Sequence, residues 1–284
     1  MHHVTVIIVN WQKPQDTIEC VQSVQRTKHV NIHIVVIDNG SLDNSAQLIQ
    51  QNCLEVELIT LPRNLGFCGG YNTGIQHALK SGTDYLFLLN NDAIIDPGTI
   101  PALVSSPWDM AVPKIYYYDE PNRIWAAGAK WRWFPPSVKM VGHKKLDGAA
   151  YQTAYPLDYA TGCAFMVSTP LIEKVGGFDP LYENYMEDYD FSYRVKRSGF
   201  SIGYVPQANV YHKVSQSLGA QSPKVWYFMG RNTVLFYRKN QRFPGFMLSI
   251  YLAWVTLREI VKGNYKVLPS FWHGVNIGKN ILKE

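Results

Sequence analysis

The first hundred residues alternate short apolar runs with longer stretches whose apolar residues recur at helical spacing. VTVIIV (4–9), HIVVID (33–38), VELIT (56–60) and YLFLL (85–89) are apolar and rich in β-branched residues, and they read as buried strands. Between them, 14–26 carries Ile18, Val21 and Val24 about one helical turn apart. SLDNSAQLIQQ (41–51) reads as a second helix with Ser41 as its N-cap. YNTGIQHALKSG (71–82) reads as a third, entered from a glycine-rich turn and stopped at Gly82. Strand–helix alternation of this kind means parallel strands joined by helical crossovers, hence an α/β fold.

The strands end abruptly in polar residues. Asn10–Trp11, Asp38–Asn39–Gly40, Arg63–Asn64 and Asn90–Asn91–Asp92 follow the four runs. Ligands of parallel sheets bind beyond the carboxyl ends of the strands, so these positions form a candidate site. The middle of the chain, 107–160, is rich in Trp, Tyr and Pro and reads as strands and loops beside a cleft. LDYATGCAFMVS (157–168) returns to a strand. EDYDFSYRVKRSG (187–199) is a helix with acids in its first turn and Gly199 as its stop, and 200–212 is extended.

An apolar fraction of 46% places the chain among globular proteins with a sizeable core. The four cysteines form no CxxC pair, which argues against a zinc ribbon or redox motif and for a reduced, cytosolic setting. The N-terminal MHHVTVIIVNW lacks the basic flank and cleavage site of a signal peptide and is read as the first strand. The net charge of +5 is unevenly placed. From Lys213 onward there are eleven Lys or Arg against Glu259 and Glu284, about +9, which leaves about −4 for the preceding residues. A basic C-terminal piece on an acidic body points to an anionic surface as partner.

Taken in order, VTVIIVNW, VVIDNGSLDNS, NLGFCGGYNTGI, LFLLNNDA, GGFDPLYENYMEDYDFSYRVKRSG and the later His212 resemble the family 2 glycosyltransferases, most of all their rhamnosyltransferase-like branch, over residues 4–240. Each motif alone is weak; the ordered set is specific. The resemblance implies a GT-A fold (Rossmann-like, with a mostly parallel central sheet flanked by helices), a nucleotide-sugar donor, Mg²⁺ or Mn²⁺, and inversion at the anomeric carbon. It divides the chain into a catalytic domain, 1–212, and a C-terminal helical extension, 213–284.

On that resemblance Asp38 accepts from the N3–H of a uracil or thymine base, while Asp-Asn-Gly is also a strong turn signal. Asn64, Gly70 and Asn72 surround the donor nucleotide, with Asn10 and Asn91 at neighbouring strand ends. The cluster Gly66, Gly69, Gly70 and Gly74 lacks GxGxxG spacing. It admits close approach of a ligand to the backbone and leads into a helix N-terminus that favours anions. Asp92 is expected to hold the metal that neutralises the donor diphosphate. The family's Asp-x-Asp-like motif reads Asn90-Asn91-Asp92 here, so the first carboxylate is missing and weaker metal affinity is expected. His212 takes the family's second metal-ligand position, although a single histidine is often a satisfied structural residue.

Glu187, Asp188 and Asp190 compensate a helix dipole, with Asp190 spaced to pair Arg194 at i,i+4. The family's base is the Asp of its Glu-Asp pair, here Asp188, and a carboxylate among carboxylates has a raised pKa. Glu187 is expected at acceptor or donor hydroxyls. WYFMGRNTVLFYRK (226–239) resembles an Arg-Asn helix of this branch and places Arg231 near acceptor phosphates.

FMLSIYLAWVTL (246–257) is shorter than the roughly 20 residues a bilayer span needs. Arg238, Lys239 and Arg242 precede it and Arg258, Lys262 and Lys266 follow, a pattern of an interfacial helix on an anionic leaflet. A core helix or a homodimer contact fits equally well. Nucleic acid is not an expected partner, because the basic residues alternate with a continuous apolar run. The resulting expectation is an inverting transferase that moves a sugar, L-rhamnose by resemblance, from a dTDP- or UDP-sugar. The acceptor is a glycan or a polyprenyl-diphosphate-linked glycan in surface polysaccharide synthesis, at the cytoplasmic face of the membrane. A sugar nucleotidyltransferase would carry an N-terminal glycine-rich loop, and VNWQKPQ (9–15) has no glycine. A non-catalytic nucleotide- or glycan-binding module is the alternative; Asn90 favours it and Asp188 opposes it.

Overall fold

The computed structural model describes residues 2–132, 137–214, 222–240 and 244–281; Arg242 of the basic flank lies outside them. The first half follows the strand–helix alternation: β1 (His3–Asn10), α1 (Pro14–Gln25), β2 (Asn31–Asp38), α2 (Ser45–Asn52), β3 (Glu57–Thr60), α3 (Gly66–Lys80) and β4 (Tyr85–Asn90). β5 (Ala93–Ile95), α4 (Thr99–Val104), β6 (Met110–Tyr117), β7 (Ile124–Ala126), and the hairpin of β8 (Ala129–Arg132) and β9 (Ser137–Met140) come next. Then follow β10 (Tyr155–Pro156), β11 (Ala164–Ser168), α5 (Thr169–Val175), α6 (Glu187–Arg197) and β12 (Ile202–His212). Three helices close the chain, α7 (Pro223–Asn240), α8 (Pro244–Val261) and α9 (Leu268–Ile281).

The main sheet has the order β10-β12-β6-β11-β4-β1-β2-β3. β4, β1, β2 and β3 are mutually parallel, and β12 runs parallel to β6. β11 is antiparallel to both of its neighbours, β4 and β6. Its first residue, Ala164, therefore faces Leu89 near the carboxyl end of β4. Helices cover both faces, and each face of the sheet buries its own apolar cluster. This is the α/β arrangement expected, a central sheet flanked by helices, with a C-terminal helical region.

Three local expectations are corrected. α2 begins at Ser45, because the Ser41 hydroxyl is turned back to Asp38 and is not available as a cap. α3 begins at Gly66, so Gly66, Gly69 and Gly70 lie inside the helix with Gly74 instead of in a turn before it. Their missing side chains let the helix rest on β1: a Cβ on Gly74 would stand 2.4 Å from Ile7 Cγ2, and one on Gly70 2.8 Å from Val9 Cγ1. The strand read over 157–168 is confined to Ala164–Ser168. Upstream of it, the Ala160 and Gly162 N–H groups donate to side chains of α6 and not to a strand ladder.

The C-terminal helices share the core of one sheet face. Val234, Leu235 and Phe236 of α7, Leu248 and Leu252 of α8 and Phe271 of α9 belong to the same buried cluster as β1 and β4 residues. α8 is two-sided: Leu248, Leu252 and Val255 are buried, whereas Phe246, Leu257, Ile260 and Val261 are exposed. Among the described residues no helix is long and apolar enough to cross a membrane.

Candidate active site

The polar strand ends form one hydrogen-bonded edge. Asn10 lies opposite Asp38 in the parallel register, and its Nδ2 donates to Asp38 Oδ1 at 2.8 Å. Ser41 donates to the same carboxylate oxygen at 2.5 Å. Thr17 of α1 donates to Asn10 Oδ1 and receives Asn91 Nδ2, which ties the end of β4 to the end of β1. Asn39 donates to Asn64 Oδ1 and to the Gly66 carbonyl, and accepts from Leu65 N–H. Gly70 presents its bare backbone to Val9 and Asn39. Of the expected donor-side residues, Asn10, Asp38, Asn64, Gly70, Asn91 and Asp92 thus lie along this edge.

Asn72 does not join them. Its Nδ2 donates to the Phe178 carbonyl at 2.7 Å, and its Oδ1 accepts the Phe178 N–H at 2.8 Å. It clamps α3 to the segment that leads toward α6.

Asp92 and His212 meet because β5 pairs antiparallel with the end of β12, setting His212 opposite Ala93. Asp92 Oδ1 stands 3.1 Å from His212 Nε2, with both side chains buried. Burial alone would lower the histidine pKa; Cys163 and Asp92 beside it outweigh that and push it up to about 10. Lys213, the next residue, donates to Asp16 and Glu19 and fastens this strand end to α1.

Among the described residues no group of three or more His, Cys, Asp or Glu side chains is placed to hold a cation. Asp92 and His212 supply two. These two facing side chains are the ones that would hold a divalent ion, whose charge would then be set against a donor diphosphate.

Asp188 approaches the same edge through the antiparallel β11. Its Oδ2 accepts the Tyr159 hydroxyl at 2.5 Å and the Gly162 N–H at 3.0 Å, and its Oδ1 accepts the Tyr189 N–H at 2.9 Å. The next residue, Cys163, accepts the Asn90 N–H through its carbonyl at 2.8 Å. Asp188 and Asp92 are therefore linked across two neighbouring strands by Gly162–Cys163 and Asn90–Asn91. Burial raises the Asp188 pKa against the pull of these hydrogen bonds. Glu187 is raised well above the carboxylate range by burial and by Asp188.

Two buried oxygens beside this acid pair, Glu187 Oε2 and Thr161 Oγ1, have no hydrogen-bond partner among the described residues. Native proteins pair most buried polar atoms, so two unpaired ones beside Asp188 are candidates for a ligand contact. Asp190 is different. It is held by Arg194 at 2.7 Å, by Tyr182 and by Asn240, and is structural.

Arg231 is also placed otherwise than expected. It is buried, donates to the Leu181 carbonyl at 2.8 Å and pairs Glu183 at 2.9 Å. Its neighbour Asn232 donates to the carbonyls of Tyr182, Asn184 and Tyr185. Together they hold a loop in which Glu183, Tyr185 and Met186 all have positive φ, just before Glu187. Arg231 thus supports the loop that leads into the acid pair.

Sequence reasoning missed Tyr159, Thr161 and Gly162. All three precede a strand instead of following one. The only available signal was a threonine and a glycine interrupting an otherwise apolar stretch.

The family model Glycosyl transferase family 2 matches residues 5–175. An N-acetylglucosaminyl-diphospho-decaprenol L-rhamnosyltransferase of Mycobacterium tuberculosis is 28% identical over 66% of this chain and 68% of that protein. A low-salt glycan biosynthesis hexosyltransferase of Haloferax volcanii is 23% identical over 95% of this chain and 90% of its own length. Among solved structures, GalNAc-T7 with UDP, GalNAc and Mn²⁺ superposes with a TM-score of 0.65 at 18% identity, covering 84% of this chain and 50% of that one. The mannosyltransferase of Pyrobaculum calidifontis, solved with GDP-Man and Mn²⁺, gives 0.56 at 15% identity, over 95% and 73% of the two chains. At these identities the solved structures show the fold alone.

Proposed function

The chain belongs to glycosyl transferase family 2, and from that membership we propose an inverting transfer of a sugar, L-rhamnose first among candidates, from a dTDP- or UDP-sugar to a polyprenyl-diphosphate-linked glycan. What supports this is the hydrogen-bonded path from Asp188 through Gly162–Cys163 to Asn90, two residues before Asp92, which faces His212, with the unpaired Glu187 Oε2 next to Asp188. The donor and acceptor classes are supported by the rhamnosyltransferase relative, whose own acceptor is a diphospho-decaprenol.

Asp188 is the base. It is raised by burial yet oriented through both oxygens, so it is poised to take the acceptor hydroxyl proton as that oxygen attacks the anomeric carbon. Tyr159, its phenol kept protonated by burial and the nearby Asp188 charge, fixes the carboxylate in place. Glu187 and Thr161 are available to bond acceptor hydroxyls. Asp38 meets the base of the nucleotide, while Asn10 and Ser41 orient its carboxylate.

Asp92 and His212 would hold a divalent cation. Such an ion supplies charge stabilisation to the departing nucleoside diphosphate. The bond to the diphosphate breaks as the new glycosidic bond forms, with no covalent enzyme intermediate. The exposed apolar residues of α8, with Lys262 and Lys266 beyond them, fit peripheral contact with an anionic bilayer.

The test is Asp188→Asn, assayed with UDP- and dTDP-sugars and Mn²⁺. Transfer should fall by about 10²–10⁴-fold with donor affinity unchanged. A fully active variant removes Asp188 as the base.

A further inference from the structure

A cavity of about 230 Å³ lies beside the acid pair, between the β8–β9 hairpin, the start of α6, and α7 and α8. Its wall includes Trp131, Met186, Tyr189, Phe236, Met247 and Tyr251. The Tyr189 ring separates it from Tyr159, the two centroids 5.1 Å apart, and Tyr159 bonds Asp188. One layer of rings thus lies between the cavity and the proposed base.

Away from Arg132 and Ser137 the wall is mostly aromatic rings and methionines. Trp131 Nε1 already donates to the Asp158 carbonyl, and the Tyr193 hydroxyl, also on the wall, donates to the Asn240 carbonyl. Trp131 packs against Tyr189 at 4.7 Å and Phe236 at 6.1 Å, and Met186 and Met247 add further apolar wall, so that Arg132 and Ser137 are polar points at the hairpin side of a largely aromatic lining. A sugar ring would leave its hydroxyls unpaired against such a surface, whereas a hydrocarbon loses nothing there. The volume is below the ~300–1,000 Å³ of sites that enclose a whole ligand, so it suits one segment of a longer molecule.

Two further features fix which molecule. Arg132, exposed, stands in the wall and is suited to a diphosphate. α8, which gives Met247 and Tyr251 to the cavity, exposes Phe246, Leu257 and Ile260 along one helical face. The cavity is thus continuous with the element best suited to lie on a bilayer.

We propose that this aromatic cavity receives the isoprenoid segment next to the diphosphate of a lipid-linked acceptor, with Arg132 on the diphosphate. The assignment rests on the transferase reading above and adds to it where the acceptor's lipid sits.

Isothermal titration of the full chain with farnesyl diphosphate, and with inorganic diphosphate as control, tests it. Farnesyl diphosphate should bind at least about tenfold tighter, since burying two methylenes alone is worth that. Met247→Trp, which fills the cavity, and Arg132→Glu, an exposed change that should leave the fold intact, should each weaken it by about tenfold or more. Equal binding of the two ligands, or farnesyl diphosphate binding unchanged in both variants, overturns the cavity assignment. Failure of the transferase reading shows differently: no nucleotide-sugar would be turned over even with a soluble acceptor lacking the lipid, and the acceptor assignment would fall with it.

Discussion

The Tyr159 hydroxyl donates to Asp188 Oδ2 across 2.5 Å, joining a loop before β11 to the first turn of α6. This bond and the Gly162 N–H favour the ionised carboxylate, while burial opposes it and wins.

The pH profile follows from that balance. A base must be ionised, and the Asp188 pKa is raised in the folded protein, so transfer is full above that pKa and lost as pH falls through it. The acid limb should lie above the range of an ordinary aspartate. Tyr159→Phe removes a bond that holds the pKa down, so the limb should move to still higher pH, with rate recovering under alkaline conditions. A variant with an unshifted limb would deny Tyr159 a role through Asp188.

The sign for stability is opposite. A carboxyl whose folded pKa is raised contributes stability at low pH that is lost as pH rises through that value. Glu187→Gln removes a buried, unpaired carboxylate oxygen's need to ionise. Its melting temperature at pH 8 should therefore exceed the parent's, and the gap should close on acidification, while transfer declines.

Chelation should stop transfer, and Mn²⁺ should restore it. Asp92→Ala and His212→Ala each remove one of two facing donors, 3.1 Å apart. Each should raise the Mn²⁺ concentration for half-maximal rate by at least the ~10–100-fold seen when a ligand's supporting partner is lost. Titration of activity with Mn²⁺ is the measurement.

Asn232→Ala withdraws the donor shared by the carbonyls of Tyr182, Asn184 and Tyr185. A buried polar group left unpaired costs about 1–3 kcal/mol. The variant should melt lower, and kcat should drop while donor affinity holds, because the loop leads into Glu187 and Asp188. Calorimetry with donor titration separates the two effects.

Gly74→Ala tests the seating of α3. The added Cβ would lie 2.4 Å from Ile7 Cγ2, and overpacking of this kind costs about 1–3 kcal/mol. Pairing it with Ile7→Ala should recover part of the loss in a double-mutant cycle.

The alternation over the first hundred residues was legible because β-branched runs and helical spacing are local signals. Asp38, Asn64 and Asp92 were legible too, since parallel strands put their carboxyl ends on one edge. The start of α3 was not: Gly66–Gly70 reads as a turn before the helix until Val9 is seen pressed against Gly70.

By itself the sequence determined the strand–helix order, the polar strand ends and the acidic first turn of α6, because each depends on neighbours a few residues away. Only the tertiary structure decided that β11 runs antiparallel, so that its leading residues, Tyr159 to Gly162, grip Asp188 at the site. It likewise decided that Asn72 and Arg231 serve the scaffold and that Asp92 faces His212. Strand direction and side-chain partners across the sheet are long-range choices, set by how the whole core packs, and no local pattern encodes them.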